Sequence, residues 1–148
     1  MSKAYSFCFA IGFLVSGSLF SEDINKSFFG NLAIEGYDPV AYFTEGRPVK
    51  GSSEFEFIWE DAKWRFSSDK NKKLFMEQPK KYAPQYGGYC AFAMNLGEKY
   101  KISPEYFAIH NGKLYLNFNS DVQEKWFKEK ESMIENANKN WKNLEKNK

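Results

Sequence analysis

The sequence predicts a small single α+β domain with two antiparallel β-hairpins, short helices and a long C-terminal helix. Three observations carry this expectation. Phe55, Phe57 and Trp59 alternate with other residues, as do Trp64 and Phe66 after a polar bend over 60–63, which is the period of half-buried strands. An Asn111-Gly112 pair separates apolar runs over 106–110 and 114–118, and both residues tolerate the positive φ that a two-residue hairpin turn needs. Val122, Trp126, Met133, Ala137, Trp141 and Leu144 recur at spacings of three, four or seven, an apolar stripe along one helix.

In chain order, residues 22–33 form a short lead with apolar patches at Phe28-Phe29 and over 32–34. Asp38-Pro39 reads as a helix start, with an N-cap carboxylate and proline at the first helical position. A turn over 39–43 would bury Val40 and Phe43 before Glu45-Gly46 ends it. After the first hairpin, Ser67 or Ser68 caps a helix to Gln78 with Leu74 and Phe75 inward, and Pro79 stops it or opens a turn through Tyr82. Tyr86-Gly87-Gly88-Tyr89 is a tight backbone feature leading into a helix over 90–96. Beyond the second hairpin, Ser120-x-x-Gln123 is a capping box that opens the C-terminal helix. One domain is expected over 34–141, followed by a polar tail at 142–148 that frays.

The 148 residues suffice for one core but leave two independent cores marginal. With 43% apolar residues, including 4 Trp, 9 Tyr and 15 Phe, a packed interior is expected. The 21 basic and 19 acidic residues nearly cancel, which argues against a nucleic-acid partner. Residues 1–21 read as a secretory signal peptide. Lys3 lies in a positive n-region, an apolar run covers 7–15, and Ser16-Gly17-Ser18 supplies small residues before the polar start at Glu22-Asp23. That run is shorter than the about 20 residues of a membrane span, and Cys8 lies inside it, too early for a lipidated cysteine. A cut between Ser18 and Ser21 leaves a periplasmic or secreted protein with no membrane span. Cys90 is then its one cysteine, which excludes a disulfide framework, and zinc sites built from several Cys and His are excluded by count.

Several longer motifs then stand together: Gly36-Tyr37-Asp38-Pro39-Val40-Ala41-Tyr42-Phe43, Trp64-Arg65-Phe66, the Phe75…Pro79…Tyr82 spacing, Tyr82-Ala83-Pro84-Gln85-Tyr86-Gly87-Gly88-Tyr89-Cys90-Ala91, and Gly112-Lys113-Leu114-Tyr115-Leu116-Asn117. In this order they resemble the YHS-domain family, and within it an exported bacterial branch of single-domain proteins. The resemblance runs from Ile34 to Trp141. Another branch of that family is associated with heavy-metal handling through Asp-Pro-Val-Cys-Gly-Met and Phe-Cys-Ser-x-x-Cys-x-x-x-Phe, whose sulfur ligands suit soft ions such as Cu(I) or zinc. This chain keeps Asp38-Pro39-Val40, Phe66, Ser68 and Phe75. It carries Ala41-Tyr42-Phe43 in place of Cys-Gly-Met, and Ser67 and Asn71 in place of the two cysteines. The resemblance therefore implies the scaffold without the soft ligands of its metal-handling relatives.

Candidate chemistry remains at three places. Cys90 and Met94 are four residues apart, and with His110 they form a sparse copper or zinc ligand set or else fill the core. Cys90 also follows two glycines at a helix start, where backbone dipoles would lower its pKa and suit a reactive thiol. Tyr37, Tyr42, Tyr82, Tyr86 and Tyr89 either line a small-ligand pocket or build the core. The carboxylate pairs Glu22-Asp23 and Glu60-Asp61 read as surface solvation. An apolar edge at Trp141 and Leu144 would support a homodimer through the C-terminal helix. The expectation is an exported, non-enzymatic protein that binds a small ligand or metal ion in the cell envelope. The alternatives are a structural or interaction module without a small ligand and, third, a cysteine-dependent redox protein.

Overall fold

The computed structural model describes residues 21–147, so the expected signal segment, Cys8 included, lies outside the described residues apart from Ser21. After a 3₁₀ turn at Ile34–Gly36 come α1 (Ala41–Thr44), β1 (Ser52–Trp59), β2 (Ala62–Phe66), α2 (Asp69–Glu77) and α3 (Pro79–Tyr82). A second 3₁₀ turn at Gln85–Gly88 leads to α4 (Ala91–Asn95), β3 (Phe107–His110), β4 (Lys113–Leu116), α5 (Ser120–Lys128) and α6 (Lys130–Lys146). This is the expected α+β architecture: two separate antiparallel two-stranded sheets, short helices and a long C-terminal helix.

The alternating rings set the register of the first hairpin, with Phe57 opposite Trp64 and Trp59 opposite Ala62. Its turn is tighter than the expected bend: Glu60 and Asp61 alone make it, both at positive φ (51° and 54°). Ala62, Trp64 and Phe66 are buried on one face of β2, and Phe75 of α2 closes over them. The Phe75 ring centroid lies 5.1 Å from that of Trp64 and 5.2 Å from that of Phe66. Ser68 caps α2, its hydroxyl accepting from the Asn71 N–H at 3.1 Å. In the second hairpin Phe107 faces Leu116 and His110 faces Lys113 across the Asn111-Gly112 turn.

Two clusters of buried side chains result, and β4 and α4 serve both. Leu114 and Leu116 join Trp64, Phe66 and Phe75 in the first, while Tyr115 joins Trp126 and Ala137 in the second. Likewise Cys90 and Ala93 pack into the first cluster, Ala91 and Met94 into the second. The lead is fastened to this body. Ile24 is buried, and the Asn25 N–H donates to the Gly87 carbonyl at 2.8 Å. Gly87 sits at φ +61°, and a Cβ there would fall 1.9 Å from the Asp23 carbonyl oxygen, so no larger residue fits without moving the lead.

The sequence expectations need correction at four places in the helices. α1 starts at Ala41 rather than Pro39 and its N-cap is Val40, not Asp38, although Asp38 Oδ1 accepts from the N–H groups of Val40 and Ala41. The N-cap that opens α5 is Asn119, whose side-chain oxygen accepts from the Val122 N–H at 2.9 Å, not Ser120. The expected single helix is two, broken at Glu129 (φ −132°, ψ 28°), and the break allows both Trp126 and Ala137 to reach the second cluster. α6 then continues through Lys146, with Leu144 half-buried against that cluster, so the segment expected to fray is helical.

Candidate functional site

Asp38 is fully buried, and both its oxygens are occupied. Oδ1 accepts from the N–H groups of Val40 (2.9 Å) and Ala41 (3.2 Å). Oδ2 accepts from the Ser67 N–H (2.9 Å), the Ser67 hydroxyl (2.8 Å) and the Asn71 side-chain amide (2.8 Å). A carboxylate has about four lone-pair sites, so this one is saturated by its own chain. Ser67 and Asn71 are the positions set against cysteines in the sequence comparison. Here they are hydrogen-bond donors directed at oxygen, and no sulfur takes part. This set does not fit a soft metal ion.

Cys90 is the N-cap residue of α4 and is buried, its Sγ 3.7 Å from the Asn117 side-chain oxygen. That oxygen also accepts from the Phe92 N–H at 3.1 Å. Burial pushes the thiol pKa up, outweighing the backbone hydrogen bonds that pull it down. The expectation of a lowered pKa is thus reversed. A five-residue helix supplies little dipole, and desolvation penalises the thiolate more. Met94 packs into the other cluster, and His110 lies at the second hairpin's end with Nε2 3.1 Å from Glu131 Oε2. Among the described residues, no group of three His, Cys, Asp or Glu side chains is placed to hold a metal ion.

The five tyrosines separate clearly. The Tyr42 hydroxyl donates to the Pro104 carbonyl at 2.9 Å, and burial raises its pKa. Tyr82 is buried edge-on to Phe43, with ring centroids 5.5 Å apart, and Tyr37 is half-buried where it bridges to Lys50. Tyr89 leans on Trp141, and the Lys99 ammonium sits 5.7 Å from the Tyr89 ring and 6.0 Å from the Trp141 ring. Lys99 also pairs with Asp23. Of the five, Tyr86 lines a groove, and its hydroxyl donates to the Asn138 side-chain oxygen at 2.9 Å. Burial raises the Tyr86 pKa as well.

The groove encloses about 530 Å³ between the turn of the first hairpin, the segment from α3 to the second 3₁₀ turn, and α6. Trp59, Tyr86 and Trp141 give it aromatic surface, and Glu22, Glu60 and Glu145 set three carboxylates against the single ammonium of Lys80. The Glu22 backbone N–H donates to Glu60 Oε2 at 2.7 Å, which ties the lead to the groove's rim. Aromatic faces combined with excess carboxylate attract cations.

In the sequence, Trp59 reads as a strand residue, Trp141 as part of a helix stripe, and Glu22 and Glu60 as solvated surface. No local signal joins them, because the groove draws on four stretches far apart in the chain. The buried partner of Cys90, Asn117, stands at the end of a sequence motif, and a polar residue closing an apolar strand is the signal that marks it. No family model, no curated protein and no solved structure matches this chain.

Proposed function

We propose that this chain is an exported, non-enzymatic binding protein of the YHS type whose ligand is a small organic cation. The observation that carries the reading is the groove of about 530 Å³, where two indoles and a phenol meet three carboxylates. Its volume falls within the roughly 300–1,000 Å³ usual for small-molecule sites. The protein already treats an ammonium this way next door, where Lys99 rests against Tyr89 and Trp141 and pairs with Asp23. The motifs over 34–141 support the family, and the apolar run over 7–15 supports export.

Titration of the purified protein with tetramethylammonium and choline, followed by indole fluorescence and calorimetry, tests the reading. Saturable binding is expected, weakened at least about tenfold by Trp141→Ala and more modestly by Glu60→Gln. 3,3-Dimethylbutanol, the uncharged isostere of choline, should bind far more weakly. Equal binding of the two overturns the cation reading, as does a stoichiometric copper or zinc mass in native mass spectrometry of protein taken from the exported fraction.

A further inference from the structure

The most exposed large apolar side chains of the described residues are Phe28 and Phe29, 92% and 84% exposed, at the tip of a turn in the lead. We infer that this turn is a finger that inserts into the headgroup region of an anionic lipid surface. Four observations lead there, and none of them depends on the groove's ligand.

The two rings contact each other edge to face, with centroids 5.0 Å apart, and among the described residues nothing else covers them. Exposed rings that shelter only one another are unfavourable in water and favourable in an interfacial layer. The turn is closed at its base. The Ser27 N–H donates to the Leu32 carbonyl (2.9 Å), the Ser27 hydroxyl donates to the Phe29 carbonyl (2.6 Å) and accepts from the Leu32 N–H (3.0 Å). These bonds hold the two rings out at the tip, and in a hydrated headgroup layer the remaining tip amides still meet water and lipid oxygens. The finger is also braced. Lys26 bridges Ala33, Ala33 donates to the Lys63 carbonyl at 2.9 Å, and the Lys63 N–H donates to the Asn31 carbonyl at 2.8 Å. Little conformational entropy is then left to lose on insertion.

Size and charge select lipid over a protein partner. Two rings at a convex tip bury about 300–500 Å², short of the roughly 800 Å² per partner of a stable protein interface. At the base of the finger, Lys26 and Lys101 share a shallow hollow with Glu35, and the Lys26 ammonium also donates to the Asp61 carbonyl at 2.9 Å; two cations against one carboxylate favour an anionic surface.

Flotation of the purified protein with phosphatidylglycerol–phosphatidylcholine vesicles and with phosphatidylcholine vesicles decides the matter. The wild-type protein is expected to float with the anionic vesicles. The Phe28→Ser/Phe29→Ser variant should lose at least about tenfold in partitioning, with an unchanged thermal melt because neither ring packs in the core. Lys26→Glu/Lys101→Glu should weaken binding to the anionic vesicles several-fold and leave the neutral ones unaffected. Equal partitioning of the wild-type protein and the Phe variant overturns the inference. So does a concentration-dependent dimer that the Phe variant abolishes in the absence of any vesicle binding. Because the groove lies outside the substituted turn, choline titration of the same variants separates failure of this inference from failure of the binding reading.

Discussion

Two polar clusters lie within this small domain, and they differ in what is left over. Around Asp38, two backbone N–H groups fill one carboxylate oxygen, while Ser67 and Asn71 supply three donors to the other. In the groove, Glu60 takes one backbone N–H and Tyr86 gives its hydroxyl to Asn138, while Trp59, Trp141 and Glu145 still face an open space. Type of residue does not separate the two places, since both hold carboxylates and amides. Saturation does. A buried polar cluster that satisfies itself fastens segments of chain together, and one that borders a groove keeps capacity for a ligand.

The largest effect that would break this contrast is on stability. Asp38→Ala leaves five buried or half-buried donors without their acceptor. At about 1–3 kcal/mol for each group left unsatisfied, partly relieved by relaxation, a loss of about 4 kcal/mol is expected in urea unfolding. Glu60→Gln, at the groove's rim, should change stability by less than about 1 kcal/mol. Comparable losses in the two variants would mean that the groove carboxylate is structural too.

Gly87→Ala comes next and probes the join between the lead and the groove. A Cβ would meet the Asp23 carbonyl, and alanine would be held at φ +61°. The lead must shift, at a cost of about 2–3 kcal/mol, and Glu22 would be drawn from the rim that it forms with Glu60. Affinity for choline should fall along with stability. Stability lost with affinity intact would remove the lead from the binding site.

The same contrast explains what could be read in advance. The hairpins were readable because alternation and the Asn111-Gly112 turn are local signals, and the register follows from which ring faces which. Asp38 was readable as an acceptor for the N–H groups just after it for the same reason. Its second oxygen was not, because Ser67 and Asn71 approach only through the fold of β2 and α2. The break at Glu129 carries no glycine or proline; the run Phe127-Lys128-Glu129-Lys130-Glu131 contains good helix formers, and packing of Trp126 and Ala137 overrides their propensity. The activation expected for Cys90 considered the helix start but not the burial that reverses it.

The smallest effect concerns a single hydroxyl. Tyr86→Phe removes the donor to Asn138 and should cost about 1 kcal/mol at neutral pH. Its fuller signature is alkaline. Burial raises the folded-state pKa of Tyr86 above its ordinary 10.0, so above that pH the unfolded chain releases a proton that the folded chain keeps. The unfolded state then binds fewer protons, and unfolding free energy falls as pH rises. The slope approaches about 1.4 kcal/mol per pH unit for each such group. The contribution is whole below pH 10.0 and is lost progressively above it. Tyr42 is shifted in the same direction by its own burial. Tyr86→Phe should therefore remove one group's share of the alkaline slope and Tyr42→Phe another, in urea titrations repeated between neutral and strongly alkaline pH. Of the two, the groove-lining Tyr86→Phe alone should also alter choline affinity. An alkaline limb unchanged by Tyr86→Phe would mean that the hydroxyl meets solvent, leaving the groove wider and wetter than its contact with Asn138 requires.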